Sequence, residues 1–411
     1  MSAPESPPIR TLLLYSQDTR GLGHITRTLT IAHHVLETFT NCVAYVVTRS
    51  KIARDCFWPH RCDYIKLPSR RTPKTVERTA DEEQASLVQF RGLRTRMLHE
   101  VALGLAPDLV FVDHEPLGSS GEFREGLWAL KRERPETRFV FGLRDIMDDP
   151  ERIRAEWQEM GVYEALENLY DGIAVFGSER LYDVAEAYAI PERIRPKLHY
   201  CGYVVREFPT TDPRAARRAL DLPERGRLIV ASVGSCRDGY PALRGAHAAI
   251  ARLQADDPDL TAILVAGPFM PEAELAELSA LSTPQCRVVP HADNFQLMAL
   301  ADAAICMGGY NTVCEGLITG CPMVIVPRAT HKVEQLIRAE LLEAHDLARC
   351  VHPSRASQET LAPALQWALD RDRNAQAQLV REWFPSFDGA AKVTGYLSPW
   401  LNGRSNGVVH V

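Results

Sequence analysis

The fold is decided by the stretch AAICMGGYNTVCEGLITGCPMVIVP, which occupies residues 303–327. It opens with a short apolar run at residues 303–306 and closes with another at 323–326, and both runs are typical of buried strands. Gly308 and Gly309, directly after the first run, predict a sharp turn into the helix that separates the two runs. A strand, a glycine turn, a helix and a second strand form the repeating unit of a parallel α/β sheet.

The same alternation of short apolar runs and amphipathic stretches fills the rest of the chain. In the first half the predicted strands are residues 12–15, 43–47, 64–67, 109–112, 139–141 and 173–176. In the second half they are residues 228–233, 262–266, 288–289, 303–306 and 323–326. Two such series predict an α/β protein with two parallel sheets, each covered by helices on both faces. Ligands bind such sheets at the carboxyl ends of the strands, so the loops that follow strands are the candidate site.

The length of the chain predicts more than one domain. Its 411 residues exceed a typical domain of about 150 residues, and we expect two domains, at residues 1–205 and 206–385. Residues 201–213 contain Gly202, Pro209 and Pro213, which predict a hinge between the domains. The tail from Asn402 has too little apolar surface to order itself.

Composition excludes several classes of protein. The net charge is −6, whereas nucleic-acid binders usually carry a basic balance. The N-terminus, MSAPESPPIR, lacks the apolar core of a secretory signal, and no apolar run reaches about 18 residues. A cytoplasmic protein without an integral membrane segment or a nucleic-acid partner is therefore expected. Its ten cysteines form no CxxC pair and are expected to be reduced.

A second glycine turn follows the first predicted strand. Gly21 and Gly23 precede an amphipathic helix and let a ligand approach the start of that helix closely. A dinucleotide fingerprint would need a third glycine at Thr26 and an acid after the second strand, where Thr48 and Arg49 stand instead. A nicotinamide-dependent enzyme is therefore disfavoured.

His24 is the distinctive residue of this first loop. An imidazole in the first helical turn can take a proton from an attacking hydroxyl, although a capping or core histidine is the alternative interpretation. A base needs an orienting partner, and Asp113 ends the strand that a parallel sheet would place beside the first loop. We predict a catalytic pair of His24 and Asp113, with His114 and Glu115 as neighbours that could replace Asp113.

The turn at Gly308 and Gly309 has the features of an anion site. Asn311 or Thr312 can cap the helix that begins there, and its free N–H groups would face an anion such as a pyrophosphate. Glu315 lies three residues after Thr312, which is the spacing of a capping box and offers a purely structural interpretation. The same carboxylate could instead accept the two hydroxyls of a ribose.

Several motifs resemble one enzyme family. GGYNTVCE, GCPMVIVP and HKVEQ resemble the donor-binding half of the bacterial peptidoglycan N-acetylglucosaminyltransferase (MurG-like) family of GT-B glycosyltransferases. GLGH with the following Arg27 is similar to the opening glycine loop of that family. DHEPLG (113–118), GLRDIMDDP (142–150) and YDGIAVFG (170–177) resemble a branch of predicted bacterial glycosyltransferases.

The resemblance implies a GT-B fold, with two Rossmann-like parallel-sheet domains facing across a cleft, and a C-terminal helix at residues 386–401 that crosses back to the first domain. It implies a hexosyltransferase that takes its sugar from a UDP-type donor, with an acceptor that is a small molecule, glycan or peptide. The residues it assigns to the donor site are Gly23, Arg206, Gly234, Ser235, His291, Ala292, Gly308, Gly309, Tyr310, Asn311, Thr312, Glu315, His331, Glu334 and Gln335.

Each part of the donor has its expected partners under this resemblance. Glu315 would hold the ribose, and the pyrophosphate would meet the turn at 308–312, the turn at Gly234 and Ser235, and Arg206. The backbone of residues 291–294 would read the nucleobase. Glu334 and Gln335, with His331 nearby, would bind sugar hydroxyls, unless they form only an exposed helix start. The single glycine before Ser235 departs from the family pattern and leaves the donor sugar open.

The expected reaction needs neither a metal nor a cofactor. Helix-end N–H groups and Arg206 can stabilise the departing nucleotide diphosphate in place of a divalent ion. The acidic cluster of Asp145, Asp148 and Asp149 is interpreted as an exposed loop that opens a helix, in preference to a metal site. With His24 as the base, displacement would invert the anomeric centre.

Two other functions remain open from the sequence. A nucleotide-sugar 2-epimerase shares this architecture but needs several acids and bases around the sugar ring. A non-catalytic nucleotide-sugar-binding protein is the third candidate. The basic segment at residues 69–89 is expected to contribute to an acceptor-side loop. Its charge weakly suggests an anionic acceptor, but a solvated surface loop is the favoured interpretation.

Overall fold

The computed structural model describes residues 8–17, 23–50, 53–69, 80–208, 212–234 and 237–402, with the side chains of 80–83 excepted. The chain divides into two compact units. The first unit comprises Met1–Asp145, Pro150–Val204 and Asp388–Val411, and the second comprises Ile146–Asp149 and Val205–Phe387. Residues 70–79 of the predicted basic segment, with Arg70, Arg71, Lys74 and Arg78, and the residue Ser235 lie outside the described residues.

The first unit is built on a sheet of seven parallel strands. They are β1 (Arg10–Ser16), β2 (Cys42–Thr48), β3 (Cys62–Lys66), β4 (Leu109–Asp113), β5 (Arg138–Arg144), β6 (Gly172–Phe176) and β7 (Leu198–Tyr200). Their order across the sheet is β3-β2-β1-β4-β5-β6-β7. Every residue of β4 and β6 is buried, because helices cover both faces of a parallel sheet. All six strands predicted for this half are present.

The second unit repeats this arrangement with six parallel strands. They are β8 (Leu228–Ser232), β9 (Thr261–Val265), β10 (Cys286–Val289), β11 (Ala303–Cys306), β12 (Met323–Ile325) and β13 (Ala348–Cys350). Their order is β10-β9-β8-β11-β12-β13. The five strands predicted here are present, so the expected α/β class with two parallel sheets is confirmed.

Helices connect the strands of both sheets. Along the chain they are α1 (Gly23–Thr38), α2 (Ala80–Leu105), α3 (Arg124–Glu133), α4 (Pro150–Glu159), α5 (Val162–Asn168), α6 (Val184–Ala187), α7 (Pro213–Ala219), α8 (Tyr240–Asp256), α9 (Glu272–Ser279), α10 (Asn294–Leu300), α11 (Tyr310–Thr319), α12 (Glu334–Ala344), α13 (Gln358–Leu369), α14 (Arg373–Trp383) and α15 (Gly389–Leu401). None of the helices in the described ranges is both long and apolar enough to cross a membrane.

Strand order creates one switch point in each sheet. In the first sheet β1 lies between β2 and β4, and in the second β8 lies between β9 and β11. The connections leave the central strand in opposite directions there, which opens a crevice at the carboxyl ends of the strands. The predicted loops after β1, β4, β8 and β11 are therefore the loops at the two switch points.

The last helix belongs to the first unit. α15 packs on α1 through an apolar face that includes buried Val393, Leu397 and Leu401. The N–H of Gly389 donates to the carbonyl of Tyr203 at 3.1 Å, which fixes the start of the helix. The C-terminal helix thus completes the core of the first unit.

Candidate functional site

The predicted catalytic pair meets at the switch point of the first sheet. His24 is in the first turn of α1, which follows β1, and Asp113 is the last residue of β4, the strand beside β1. The distance between His24 Nδ1 and Asp113 Oδ2 is 2.7 Å. Asp113 is fully buried, whereas 20% of the His24 side chain is exposed. The two residues therefore have the hydrogen-bonded geometry that a base and its orienting partner require.

Arg27 is a third member of this group, and sequence reasoning gave it no role. Its Nε lies 3.0 Å from Asp113 Oδ1, and its Nη2 lies 2.8 Å from each oxygen of that carboxylate. Burial alone would raise the pKa of Asp113, but the charge of Arg27 and the hydrogen bond with His24 outweigh it and lower that pKa. The three-residue spacing of His24 and Arg27 puts both on one helix face, a signal available in the sequence.

The protonation of His24 follows from its neighbours. Burial lowers the pKa of His24, Arg27 and Arg144 lower it further, and Asp113 opposes them. An ionised Asp113 can only accept a hydrogen bond, so His24 Nδ1 carries the hydrogen and donates it. Arg27 Nη2 lies 2.9 Å from the same nitrogen, but both groups are donors that share the Asp113 carboxylate. Nε2 is left with the lone pair that a general base needs.

His114 packs against His24 and does not replace Asp113. The two ring centroids are 4.6 Å apart with an angle of 33° between the planes. His114 is buried and has a φ of 69°, which is unusual outside glycine. The carboxylate hydrogen-bonded to His24 Nδ1 belongs to Asp113, so Glu115 does not take that position either.

The acidic cluster after β5 differs from its prediction. Asp149 is exposed and α4 begins directly after it, but Asp145 and Asp148 are buried, so an exposed loop is wrong for these two. The Tyr203 hydroxyl donates to Asp145 Oδ2 at 2.9 Å, and the Val333 N–H donates to Asp148 Oδ1 at 2.8 Å. These bonds compensate the burial of both carboxylates. Within the described ranges, no group of three or more histidine, cysteine or acidic residues could hold a metal ion.

Two glycine turns meet at the switch point of the second sheet. Gly234 follows β8 with a φ of 65°, and Gly308 follows β11 with a φ of 77°. A Cβ on Gly234 would lie 3.8 Å from Thr312 Oγ1, so the two turns are neighbours. A Cβ on Gly308 would lie 2.9 Å from Ile325 Cγ2, whereas one on Gly309 would meet no heavy atom of the described residues within 4 Å. Open space therefore lies beside Gly309 at the start of α11.

The start of α11 corrects two predictions. The helix begins at Tyr310 with Gly309 as its N-cap, and no side chain caps it, so the predicted caps at Asn311 or Thr312 are wrong. Gly309 has extended backbone angles (φ −61°, ψ 142°) and takes the cap position itself. Glu315 lies beyond the first turn and forms no capping box. A helix start that lacks a side-chain acceptor is suited to bind an anion.

Glu315 pairs with Arg206 instead. Arg206 Nε donates to Glu315 Oε1 at 3.1 Å, and its Nη1 donates to Asp293 Oδ2 at 3.0 Å. The guanidinium also lies over the Phe295 ring at 5.1 Å from its centroid. Burial raises the pKa of Glu315 to about 6, although the charge of Arg206 opposes this rise. Arg206, predicted to approach a phosphate, is held here between two carboxylates.

Sequence reasoning gave the Asp293 side chain no role, although it placed the backbone of residues 291–294 at the nucleobase. Its carboxylate caps α10 by accepting from the N–H groups of Phe295 and Gln296, besides pairing with Arg206. An aspartate directly before a helical pattern is a recognised capping signal.

His291 is exposed and Ala292 is half-buried, and both lie in the loop between β10 and α10.

The residues predicted to hold the donor sugar lie around the start of α12. Glu334 and Gln335 are buried, so an exposed helix start is the wrong interpretation. Gln335 Oε1 accepts from the Arg328 N–H at 2.9 Å, whereas Glu334 Oε2 is buried and bonds to none of the described residues. His331 is exposed and has a φ of 65°.

An ion pair near this group was not predicted. Arg328 donates from Nε and Nη2 to the two carboxylate oxygens of Asp238 at 2.7 and 2.8 Å. The pair joins the loop after β12 to the loop after β8, and Arg328 lowers the pKa of Asp238. The loops after β8 and β12 are thereby tied together.

Parts of this chain are similar to known glycosyltransferases. Residues 247–382 match the glycosyltransferase family 28 C-terminal domain. A curated relative is the UDP-N-acetylglucosamine--N-acetylmuramyl-(pentapeptide) pyrophosphoryl-undecaprenol N-acetylglucosamine transferase of Salinibacter ruber (strain DSM 13855 / M31), which is 33% identical over 117 residues. This match covers 28% of the chain and 30% of the relative's length.

Solved glycosyltransferases share the fold over nearly the whole chain. The glycotransferase of kitacinnamycin has a TM-score of 0.67 at 16% identity, covering 96% of this chain and 100% of that one. The calicheamicin glycosyltransferase CalG4 has a TM-score of 0.65 at 17% identity, covering 97% and 100%. Phytolacca americana UGT2, solved with UDP-2fluoro-glucose and pterostilbene, has a TM-score of 0.65 at 12% identity. That match covers 95% of this chain and 100% of UGT2. The predicted GT-B fold and the resemblance to MurG-like proteins are confirmed.

Proposed function

We propose that this protein is an inverting, metal-independent glycosyltransferase that moves a sugar from a nucleotide diphosphate, in the first place UDP, to an acceptor hydroxyl. The observation that carries the proposal is the distance of 2.7 Å between His24 Nδ1 and Asp113 Oδ2, at which Asp113 orients the imidazole. The family 28 match in the second unit supports the donor half of the proposal.

The base chemistry follows from the first unit. The acceptor hydroxyl gives its proton to His24 Nε2 as its oxygen attacks the anomeric carbon of the donor. The bond from that carbon to the diphosphate oxygen breaks on the opposite face, so the configuration inverts. Asp113 stabilises the imidazolium that forms, and Arg27 keeps Asp113 ionised.

The donor chemistry is assigned to the second unit. Glu315 would accept the ribose hydroxyls, and the turns at Gly234 and Gly308 would cradle the pyrophosphate before the uncapped start of α11. Glu334 Oε2, buried and hydrogen-bonded to none of the residues described, would accept a sugar hydroxyl. UDP is proposed because the curated relative is named for a UDP-linked sugar and because UGT2 was solved with UDP-2fluoro-glucose.

The choice between a transferase, an epimerase and a binding protein is tested by adding a UDP-sugar alone. With water as the acceptor, the transferase is expected to release UDP and free sugar slowly, as followed by 31P and 1H NMR. An epimerase would change the sugar without releasing UDP, and a binding protein would change neither. Either of these two results would overturn the proposal.

A pair of variants ties this hydrolysis to the base. His24→Gln is expected to lower the rate of UDP release, because the lone pair of Nε2 is lost. His34, in the second half of the same helix, is replaced by glutamine in a matched variant, His34→Gln. It serves as the control and is expected to keep the wild-type rate.

A further inference from the structure

A second charged cluster lies at the carboxyl edge of the first sheet, and the proposed chemistry does not use it. We call Tyr15, Arg49, Arg94 and Glu122 the Arg49–Arg94 cluster. Glu122 is fully buried and Arg94 nearly so, while 17% of the Arg49 side chain is exposed. Tyr15 and Ser16 are the last two residues of β1, and Arg49 directly follows β2.

The single carboxylate of the cluster is already occupied. Glu122 Oε1 accepts from the Tyr15 hydroxyl at 3.0 Å, and Glu122 Oε2 accepts from Arg94 Nε at 2.6 Å. Burial and the charge of Glu122 raise the pKa of Tyr15, so the phenol keeps its proton. Arg49 Nη1 is 4.0 Å from Glu122 Oε1, which is beyond hydrogen-bond distance.

Counted over the described residues, the cluster therefore carries a surplus positive charge. Two guanidinium groups face one carboxylate, and Arg49 Nε is buried with no hydrogen-bond partner among the described residues. Burial lowers the pKa of Arg49; the charge of Glu122 opposes this fall, and the like charge of Arg94 adds to it. Buried charged donors are normally paired, so an anion would supply what Arg49 lacks.

The position of the cluster relates it to the predicted base. Tyr15 pairs with Val112 in the sheet, and Asp113 is the next residue of β4. Since side chains alternate between the faces of a strand, the cluster and Asp113 lie on opposite faces of the same carboxyl edge. The segment between β4 and α3 follows Asp113 and contains Glu122. In this segment, the Ser119 N–H donates to the Tyr15 hydroxyl at 3.0 Å.

We infer that the Arg49–Arg94 cluster binds an oxyanion, a carboxylate or a phosphate, on the acceptor substrate. Guanidinium groups recognise both oxyanions by charge-assisted hydrogen bonds. The anion would fix the acceptor at the sheet edge that holds the His24 base. The identification of the anion as part of the acceptor rests on the proposed function. Anion binding itself depends only on residues of the first unit.

The test follows the arginine Nε–Hε signals by NMR during titration with inorganic phosphate and, separately, with acetate. Ionic strength is held constant with sodium chloride, and saturating UDP is present to occupy the proposed nucleotide site. The Arg49 and Arg94 signals, assigned from Arg49→Lys and Arg94→Lys spectra, are expected to shift saturably. A larger affinity for phosphate indicates a phosphorylated acceptor, and a larger affinity for acetate indicates a carboxylate.

Variants decide whether the cluster is the site. Arg49→Gln is expected to weaken anion affinity about tenfold, as loss of a hydrogen bond to a charged group implies, and Glu122→Gln is expected to strengthen it. Arg132→Gln removes an exposed arginine of α3 and is expected to leave affinity unchanged. Absence of a saturable shift, or equal affinity in Arg49→Gln and the wild type, would overturn the inference. If the protein neither binds UDP nor hydrolyses a UDP-sugar, the proposed function is refuted. The arginine signals would still shift with the anion, so the two failures are distinguishable.

Discussion

At the scale of single residues, the charge of Arg27 sets the properties of the proposed base. A buried carboxylate beside an imidazole could share its proton, but Arg27 contacts both oxygens of Asp113 and keeps that carboxylate ionised. Burial lowers the pKa of His24, and the same cation lowers it further. Asp113 consequently orients His24 without holding it in the protonated form, so the base is ready at neutral pH.

Asp113→Asn is expected to lower the rate of donor hydrolysis by roughly 10²- to 10⁴-fold. The amide can donate to His24 Nδ1 and so favours the tautomer in which Nε2 carries the hydrogen. Nucleotide affinity is expected to be unchanged, because Asp113 belongs to the first unit. The rate is measured as UDP release and the affinity by calorimetry.

Asp171→Asn is the matched control for this variant. Asp171 belongs to the same unit but pairs with Arg138 beside the starts of β5 and β6, at the edge away from the carboxyl ends. Its rate is expected to equal that of the wild type. Equal rates for Asp113→Asn and Asp171→Asn would remove Asp113 from the mechanism.

The pH dependence of hydrolysis gives a second test at the residue scale. The active form of His24 is deprotonated, so the rate falls as pH drops through its pKa. Because that pKa is lowered from 6.5, the acid limb is expected below pH 6.5. Arg144→Gln removes one of the cations that lower the pKa and is expected to move the limb to higher pH.

Arg138→Gln, at the other end of β5, controls for a general change of charge in that strand. Its acid limb is expected to coincide with that of the wild type. A limb that Arg144→Gln leaves in place, or moves to lower pH, would show that His24 is not the group that titrates.

At the scale of elements, the turn from β11 into α11 separates structural from ligand-binding glycines. Gly308 needs its left-handed backbone and has no room for a Cβ, whereas Gly309 has ordinary angles and open space beside it. Gly309→Ala is therefore expected to leave the melting temperature unchanged and to weaken nucleotide binding by filling the proposed pyrophosphate position. Calorimetry and thermal unfolding measure the two effects.

Gly308→Ala, in contrast to Gly309→Ala, is expected to change the stability of the protein. A left-handed backbone costs an L-residue roughly 1–2 kcal/mol, and the contact with Ile325 Cγ2 adds to that cost. The melting temperature is expected to fall. A Gly309→Ala variant that binds nucleotide as tightly as the wild type would show that the open space does not receive the pyrophosphate.

The elements show where sequence reasoning works and where it stops. Unbroken apolar runs such as residues 109–112 of β4 and residues 303–306 of β11 can be predicted, since burial on both faces favours apolar side chains throughout the run. β7 and β13 were not predicted, because each has only three residues and carries half-buried or exposed positions. Each element's type was thus easier to predict than its limits.

Within the candidate site, spacing predicted the contact of His24 with Asp113, because register and strand order determine which loops meet. The pairing of Arg206 with Asp293 could not be predicted in this way. It joins residues 87 positions apart through flexible side chains. The burial of Asp145 was missed for a related reason, since only the folded chain shows that the Tyr203 hydroxyl satisfies its carboxylate.

At the scale of the whole molecule, the chain returns to its first unit after completing the second. α15 supplies apolar side chains to the core around α1, so the stability of the first unit depends on residues near the end of the sequence. Proteins with more than one unit can unfold in separate steps. A defect in α15 is then expected to affect one step and leave the other.

Leu397→Ala is expected to destabilise the first unit by about 2–5 kcal/mol, because it leaves a cavity at a fully packed position. Differential scanning calorimetry should show one transition moved to lower temperature. Gly395→Ala, on an exposed position of the same helix with no heavy atom near its Cβ, should be neutral or slightly stabilising. An unchanged profile for Leu397→Ala would contradict the packing of α15 on α1.

The central claim, a nucleotide-sugar site in the second unit, is tested most directly by calorimetric titration of UDP, dTDP and GDP into the wild type and Glu315→Ala. The titration is run at pH 8, where Glu315, with a pKa of about 6, is ionised. Selective binding of UDP that is lost in Glu315→Ala is the predicted result. Absence of binding by all three nucleotides would contradict the assignment and leave only the fold.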